Sequence, residues 1–587
     1  MDIKQELSEI ISNALVQCGF KVSGNLVSFS NKPELADFQS NICFALAKQY
    51  KMNPADVAEQ IISKIDASGF DFSFCAPAFI NIKLTDEKLS KIANDLLVDG
   101  NLGVVKTQNP KVIFLDYGGA NVAKELHVGH LRSPIIGEGI KNLYKLFGHK
   151  TIADVHFGDW GLQMGLTIAQ LEDDGLLDFY FKGKGQKPEI TLDMLNIAYP
   201  KASKRKETDE NFKKKAELYT LWLQQKKEPY FTIWKQLREP SVKTIMKNYD
   251  MLNIHFDLTN GESSASDKIK QTIDLFVSSG LARKSQDALV VDVAKEGENI
   301  PIPKKHPDDP QFYKNPMPPA IIQKSNGGEL YMTTDLATMW ERNIDYNPDE
   351  IVYITDNRQI EHFIKLFRCA KMSGISPESQ KLTHVAFGTI CGSDGKPFKT
   401  RSGETVKLED VVSLVTSKAE QKLKQNGLGE NKDLALKIGV AALKFGDLSN
   451  DVSKDYVLDL DKFSSFEGKT GPYLQYTNAR INSLLEKAGY NNSGEILVNL
   501  PEERTIIIAL LKLIESFKTS LDNLSLAPLC NAVFALASSY STFYNNVRIL
   551  TEQNLVKKQG YLALSKLVQK AITKGLDVLA IDTVKRM

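Results

Sequence analysis

The stretch from Lys111 to Phe147 constrains this chain more than any other. It opens with the apolar run Val112-Ile113-Phe114-Leu115, passes through a loop from Asp116 to Leu126 containing Gly118 and Gly119, and reaches His127-Val128-Gly129-His130. A short β-branched run ending in glycines reads as a buried parallel strand. After His130 the apolar residues Leu131, Ile135, Ile136, Ile140, Leu143 and Phe147 return at helical spacing, and Pro134 falls in the first turn, where missing backbone donors are tolerated. The reading is strand, loop, helix. It sets two imidazoles at a helix N-terminus, whose unpaired N–H groups and positive partial charge favour phosphate; imidazole donors there can follow charge onto phosphoryl oxygens. Gly129 leaves room for a flat ring to approach the backbone.

The rest of a nucleotide-binding sheet follows from similar patterns. Lys150 to Gly165 predicts a second strand running into a glycine-punctuated loop, which completes a βαβ half. Strands over Ile351–Thr355 and Val385–Ile390, with a helix from Ile360 to Lys371 between them, supply the second half. Between the halves, residues 170 to 250 are helical and polar, and the charge runs Lys201 to Lys206 and Lys213 to Lys215 read as solvated faces. Seven prolines between Gln286 and Pro319 exclude central elements and predict a hairpin plus loop.

Residues 1–108 begin with an amphipathic helix carrying Leu7, Ile10, Ile11, Ala14 and Leu15 on one face, and form a compact α/β domain ending in the polar linker Lys106 to Pro110. Residues 109–455 form the parallel-sheet domain with a helical insertion and connecting helices. Residues 456–587 form an all-helical bundle, in which Pro501-Glu502-Glu503 opens one helix with the stripe Ile506, Leu510, Leu513 and Phe517, and Pro528 to about Leu550 forms another.

Charge narrows the choice of partner. Lys plus Arg number 73 against 72 Asp plus Glu, which excludes a globally basic nucleic-acid binder and requires any RNA contact to be local. The last forty residues, 548–587, hold eight Lys/Arg against three Asp/Glu and give the chain a cationic end. Six cysteines without a Cys-x-x-Cys pair argue against a zinc site and fit a reducing compartment. The charged start and the lack of a membrane-length apolar run point to a cytoplasmic protein without a membrane anchor.

Asn121 to Ser133 resembles the His-x-Gly-His region of class I aminoacyl-tRNA synthetases, in particular the arginyl-tRNA synthetases. Gly158-Asp159-Trp160-Gly161 matches a segment beside the active site of that family, and Trp160 reads equally well as a packing residue. Cys391 to Thr405 resembles the family's second motif in degenerate form: Lys399-Thr400-Arg401-Ser402 lacks the usual motif lysine, and Lys124, shortly before the first motif, resembles the lysine that stands in for it. Asp37 to Lys48 and Phe79 to Leu84 resemble the family's N-terminal domain, which meets the corner of the tRNA; Phe79 and Ile82 also read as ordinary core strand residues. Phe463 to Arg480 resembles the start of its anticodon-binding domain.

The resemblance implies a Rossmann-type catalytic domain that joins L-arginine to tRNA(Arg) through arginyl-adenylate. It implies His127, His130, Lys124 and Lys399 as catalytic residues, and His127, Gly129, His130, Lys399, Thr400 and Arg401 against ATP. A preorganised cation facing developing phosphate charge is worth roughly 3 kcal/mol in the barrier. Asp116, Asn121, Tyr331, Asp335 and Gln359 match the arginine pocket, with Asp335 on the guanidinium and Tyr331 along the side chain; Gly118 departs from the serine common among relatives. Tyr544 and Met587 match positions near the anticodon, although Tyr544 also reads as helix packing. Magnesium is expected with ATP, with no protein-held metal or organic cofactor, no DNA, a monomeric chain, and tRNA needed for the activation step. A class I synthetase for lysine, glutamine or glutamate is the nearest alternative. A pocket built for guanidinium rejects lysine by a factor on the order of 10⁴ through unpaired acceptors. A synthetase-like RNA-binding protein without catalysis is the alternative from another class.

Overall fold

The computed structural model describes residues 3–21, 24, 26–298, 300–302, 312–314, 317–325, 330–398 and 406–587. Its centre is a four-stranded, wholly parallel sheet built from β1 (Val112–Tyr117), β2 (Lys150–Asp154), β3 (Glu350–Asp356) and β4 (Lys381–Phe387), in spatial order β4-β3-β1-β2. Ile113, Phe114 and Leu115 are buried, as are Ile351, Val352 and Ile354, so the central strands are covered on both faces. The chain leaves β1 toward one edge and β3 toward the other. The gap between their C-terminal ends is therefore a topological switch point, where open α/β sheets bind ligands.

Two predicted boundaries shift. The helix after the His-x-Gly-His segment starts as a single 3₁₀ turn, Val128–His130, and becomes α-helical only as α1 (Arg132–Leu146). The predicted strand Val385–Ile390 is instead β4 ending at Phe387, followed by Ile390–Cys391 paired with Tyr456–Val457. Gly388 marks the break: a Cβ there would lie 2.4 Å from the Lys454 backbone, so the close crossing of two chain segments interrupts the ladder.

The helical insertion comprises α2 (Leu162–Asp173), α3 (Leu192–Arg205), α4 (Glu210–Gln224) and α5 (Tyr230–Met251). Its basic run is less free than a solvated face. Lys201 pairs with Asp174 at 2.5 Å, Arg205 with Asp173 at 2.7 Å, and Lys215 with Glu172 at 2.7 Å and Asp173 at 2.6 Å, so one acidic segment at the end of α2 gathers cations from α3 and α4. Within the proline-rich stretch Ile300–Ile302 pairs antiparallel with Phe312–Lys314; a separate hairpin, Ala282–Ser285 with Ala288–Val291, begins before it, and Ala320–Gln323 pairs with the second strand of that hairpin. Beyond it lies α6 (Tyr331–Tyr346), then β3, α7 (Ile360–Met372) and β4. Two helices, α8 (Leu408–Gln425) and α9 (Lys432–Leu448), lead to the bundle of α10 (Gly471–Lys487), α11 (Pro501–Asp522), α12 (Ala527–Asn546) and α13 (Leu555–Val578).

The N-terminal region is a four-stranded antiparallel sheet, ordered Ser28–Phe29, Phe38–Ser40, Phe79–Leu84 and Phe70–Cys75, with helices against it. Ile82 is fully buried there, as a core strand residue should be. Specific polar contacts fasten this region to the bundle. Arg504 of α11 donates to the Leu84 carbonyl at 2.8 Å and pairs with Asp86 at 3.0 Å, and Lys570 of α13 donates to the Leu97 and Asp99 carbonyls at 3.0 and 2.5 Å, satisfying the open end of the helix Asp86–Val98. Part of the C-terminal basic excess is thus spent on structure.

Candidate active site

The two imidazoles interlock through the backbone. The His127 N–H donates to His130 Nδ1 at 3.1 Å, the Gly129 N–H donates to His127 Nδ1 at 3.1 Å, and the ring centroids lie 3.8 Å apart. With each Nδ1 accepting, each neutral ring must carry its proton on Nε2. Burial, His127 and Lys124 push the pKa of His130 down to about 3, and burial, Lys124 and Arg358 lower that of His127. Two neutral Nε2–H donors therefore stand at the start of α1, with the Lys124 charge close enough to act on both. Lys124 Nζ itself lies over the Tyr199 ring, 4.7 Å from its centroid. At Gly129 the crowding is more local than the sequence implied: a Cβ would sit 2.9 Å from His127 Cε1 and 3.0 Å from its Nδ1.

The first turn of α1 is pinned from two sides. Ser133 Oγ accepts from the Gly118 N–H at 2.8 Å and donates to the Ile354 carbonyl of β3 at 2.7 Å, bridging the switch point. Arg132 is buried and donates to the carbonyls of Gly388 at 2.7 Å and Lys454 at 3.1 Å, with Asp447 of α9 at 3.3 Å. Glycine at 118 has a local cause: its φ is +73°, and a Cβ would meet Phe256 at 3.0 Å. Lys399, Thr400 and Arg401 lie outside the described residues. The chain that follows them runs antiparallel to the first motif, the Val128 N–H donating to Val406 O and the Leu408 N–H to Leu126 O, both at 2.9 Å, and Lys407 pairs with Glu125 at 2.7 Å.

Carboxylates gather on the other side of the switch point. Strand register sets Asp116 of β1 beside Asp154 of β2. Arg342 of α6 bridges them, its Nη2 lying 2.8 Å from Asp116 Oδ2 and 2.9 Å from Asp154 Oδ2, and its guanidinium covers Phe114 at 4.6 Å. Burial alone would raise both acids. His156 and Arg342 outweigh it at Asp154, which is held well below the usual carboxylate range; at Asp116 desolvation prevails over Arg342 and His156, and the neighbouring Asp154 charge raises the pKa further. Asp335 sits one turn into α6 with Oδ2 2.5 Å from His362 Nε2. Its charge reaches Glu262, whose pKa burial and Asp335 push up to about 7. Tyr331 is exposed at the head of α6, its hydroxyl raised by desolvation and by Glu262, Tyr199 and Asp335. Gln359 is exposed at the end of the turn Asn357–Gln359, capping α7, and Asn121 is exposed in the loop after β1, bridged to Gly158.

Arg342, His156, Glu262, His362 and Arg358 were not singled out by sequence reasoning. Their roles come from register and loop placement. Asp159 and Trp160 act through packing: Asp159 accepts from Arg238 at 2.7 Å and from the Ser263 N–H at 2.9 Å, holding the loop that carries Glu262, while buried Trp160 meets Trp234 edge to face at 5.1 Å. Tyr544 lies under Arg480, 3.8 Å from guanidinium to ring centroid, and Met587 packs beside Leu434 and Phe466 against Ala419, Leu423, Ala435 and Ile438.

A parallel sheet with paired imidazoles at its switch point, acidic groups across the gap and a helical bundle beyond defines a class I aminoacyl-tRNA synthetase. Residues 91–460 match the family described as "tRNA synthetases class I (R), catalytic domain", residues 2–84 the "Arginyl tRNA synthetase N terminal domain", and residues 474–587 the "DALR anticodon binding domain". The chain is 37% identical to the arginine–tRNA ligases of Agathobacter rectalis and Alkaliphilus oremlandii, over 99% of each partner in both comparisons. In fold it is similar to arginyl-tRNA synthetase from Plasmodium falciparum, with a TM-score of 0.83 at 24% identity and full coverage of both chains, and to that of Thermus thermophilus, with 0.79 at 21%. The chain belongs to the arginyl-tRNA synthetases, which ligate arginine to its tRNA for translation at the expense of ATP.

Proposed function

We propose that His127, His130 and Lys124 hold the triphosphate of ATP over the switch point while Asp335 and Glu262 hold the guanidinium of arginine across it. The carboxylate oxygen of arginine attacks the α-phosphorus, the bond from that phosphorus to the bridging oxygen breaks, and pyrophosphate leaves. The tRNA 3′-terminal hydroxyl then displaces AMP from the adenylate. The observation that carries this reading is the pair of Nε2–H donors: neutral, directed by backbone bonds, and backed by a fixed cation. Such donors stabilise charge as it moves without a proton-transfer step, so no side-chain nucleophile or general base is required. Lys399, Thr400 and Arg401 are proposed against the same phosphates, and Gly129 gives the nucleotide its approach. The chain after that loop is hydrogen-bonded to the first motif, which supports this assignment. Magnesium enters with ATP, with no protein-held ion or organic cofactor.

Asp116 and Asn121 hold the α-amino and carboxylate ends, with Asp116 oriented by Arg342; Tyr331 lies along the side chain and Gln359 closes the pocket from the β3 side. Tyr544 and Met587 are candidate anticodon contacts, supported in the first case by the half-buried Arg480–Tyr544 pair. The domain division is 1–108, 109–455 and 456–587, and the chain acts as a cytoplasmic monomer that binds neither DNA nor membrane. Among the described residues no helix is long and apolar enough to cross a membrane. The test is ATP–pyrophosphate exchange with arginine, with and without tRNA(Arg), and with lysine and glutamine as controls. We expect exchange only with arginine plus tRNA. Exchange with arginine alone removes the tRNA coupling but keeps the enzyme, and tRNA binding without any exchange removes the catalytic reading.

A further inference from the structure

The contact between His362 and Asp335 joins two elements that come from different parts of the sheet. Asp335 is on α6, before β3, and His362 is the third residue of α7, after it. His362 Nε2 lies 2.5 Å from Asp335 Oδ2, and both side chains are about three-quarters covered. An ionised carboxylate only accepts, so Nε2 is the donor. The imidazole meets the adjacent Phe363 ring edge to face at 5.3 Å, that ring stacks on His384 at 4.2 Å and 26°, and His384 Nε2 is 2.8 Å from Thr355 Oγ1 on β3. The start of α7 is thereby braced against the strand ends, and the bond it makes to Asp335 is short and directed.

This matters because of what Asp335 has to recognise. A guanidinium is a planar fork of N–H donors, and its affinity depends on the plane and angle of the acceptor, whereas an ammonium is a compact charge indifferent to that angle. A carboxylate on a helix turns about its terminal torsion within a broad energy well unless a second group holds it. Fixing Oδ2 leaves Oδ1 as the acceptor for the fork.

We infer that His362 is a positioning residue for arginine selection, acting through Asp335 by locking the plane of its carboxylate. The inference rests on the reading that Asp335 receives the guanidinium. Its test is steady-state aminoacylation of the full chain with His362→Ala, His362→Gln and Asp335→Asn, alone and combined, each checked for an unchanged melting temperature. His362→Ala should raise KM for arginine about tenfold to a hundredfold, the range for losing one hydrogen bond to a charged group, and leave kcat at saturating arginine and KM for ATP within about twofold. His362→Gln, which keeps an N–H donor, should recover part of the loss. Adding His362→Ala to Asp335→Asn should cost nothing further, since the group it positions is already altered. An arginine KM within twofold of the native value in His362→Ala overturns the inference, as does an equal fall in kcat and in ATP affinity, which would mark a merely structural role. If Asp335→Asn itself leaves the arginine KM unchanged, the reading of Asp335 fails instead. Should the alanine variant not fold, His362→Leu, which fills the space without a donor, decides by the same split between KM and kcat.

Discussion

Replacing Arg342 with methionine removes the guanidinium that bridges Asp116 and Asp154 and leaves only His156 beside them. Both Oδ2 atoms contact the same nitrogen, at 2.8 and 2.9 Å, so they can be no more than about 6 Å apart. Two unit charges at that separation, with an effective dielectric of about 20, repel by roughly 3 kcal/mol. Breaking a buried pair by deleting one partner costs about 3–5 kcal/mol, which agrees in size. The variant can relieve this repulsion by holding a proton on one carboxylate, so that acid's folded-state pKa rises above its unfolded value. A group raised in this way keeps its stability below the unfolded pKa and loses it as pH climbs through the folded pKa. The deficit of Arg342→Met against the native chain should therefore be smallest near pH 5 and grow toward pH 8. Urea unfolding followed by tryptophan fluorescence is the assay: all four tryptophans, Trp160, Trp222, Trp234 and Trp340, lie in the catalytic region. Adding Asp154→Asn should restore much of the loss at pH 8. A deficit under about 1 kcal/mol, or one that does not change between pH 5 and 8, refutes the argument that these carboxylates need a shared cation.

Two further outcomes follow from the same geometry. Gly129→Ala places a methyl 2.9 Å from the His127 ring and must turn it; displacement of a catalytic donor by about 1 Å costs on the order of a hundredfold in rate, so kcat for pyrophosphate exchange should fall by about that factor while the thermal midpoint stays within a few degrees. Glu262, at about 7 in the unliganded enzyme, must ionise to serve a guanidinium. The arginine KM should rise as pH falls below 7, by up to about tenfold per unit, and Glu262→Gln should flatten that dependence while weakening binding at pH 8; a native profile flat from pH 6 to 8 removes Glu262 from the pocket.

Much of the nucleotide fold was legible in the chain because its signals are local. The buried strand before Asp116, the helical period after His130 and the glycine breaks are written within a few residues of one another. The groups that complete the pocket are not. Arg342 lies far along α6 and gains its role only because parallel register sets Asp116 beside Asp154. Glu262 is carried by a loop that Asp159 holds through Ser263, a contact spanning about a hundred residues of sequence. The run from Lys201 to Lys215 read as a free basic face because its partners Glu172, Asp173 and Asp174 stand on another helix.

The residues just after His130 show how a site that works by positioning is kept rigid. Arg132 and Ser133 follow within one turn, yet neither faces solvent as a free donor: the first is tied to Gly388, Lys454 and Asp447, the second to Gly118 and Ile354. One turn of helix therefore touches both halves of the sheet and the helix that leads to the bundle. Lys444, on that same helix, donates to the Leu252 carbonyl at 2.6 Å and to Ala580 at 2.7 Å, joining the insertion to the C-terminal segment. The turn that follows the imidazoles and the C-terminal segment are thus both fixed to α9, the first through the Arg132–Asp447 ion pair and the second through Lys444. Electrostatic catalysis makes such a frame effective, since donors worth several kcal/mol to the transition state lose that value when they are misplaced by an ångström.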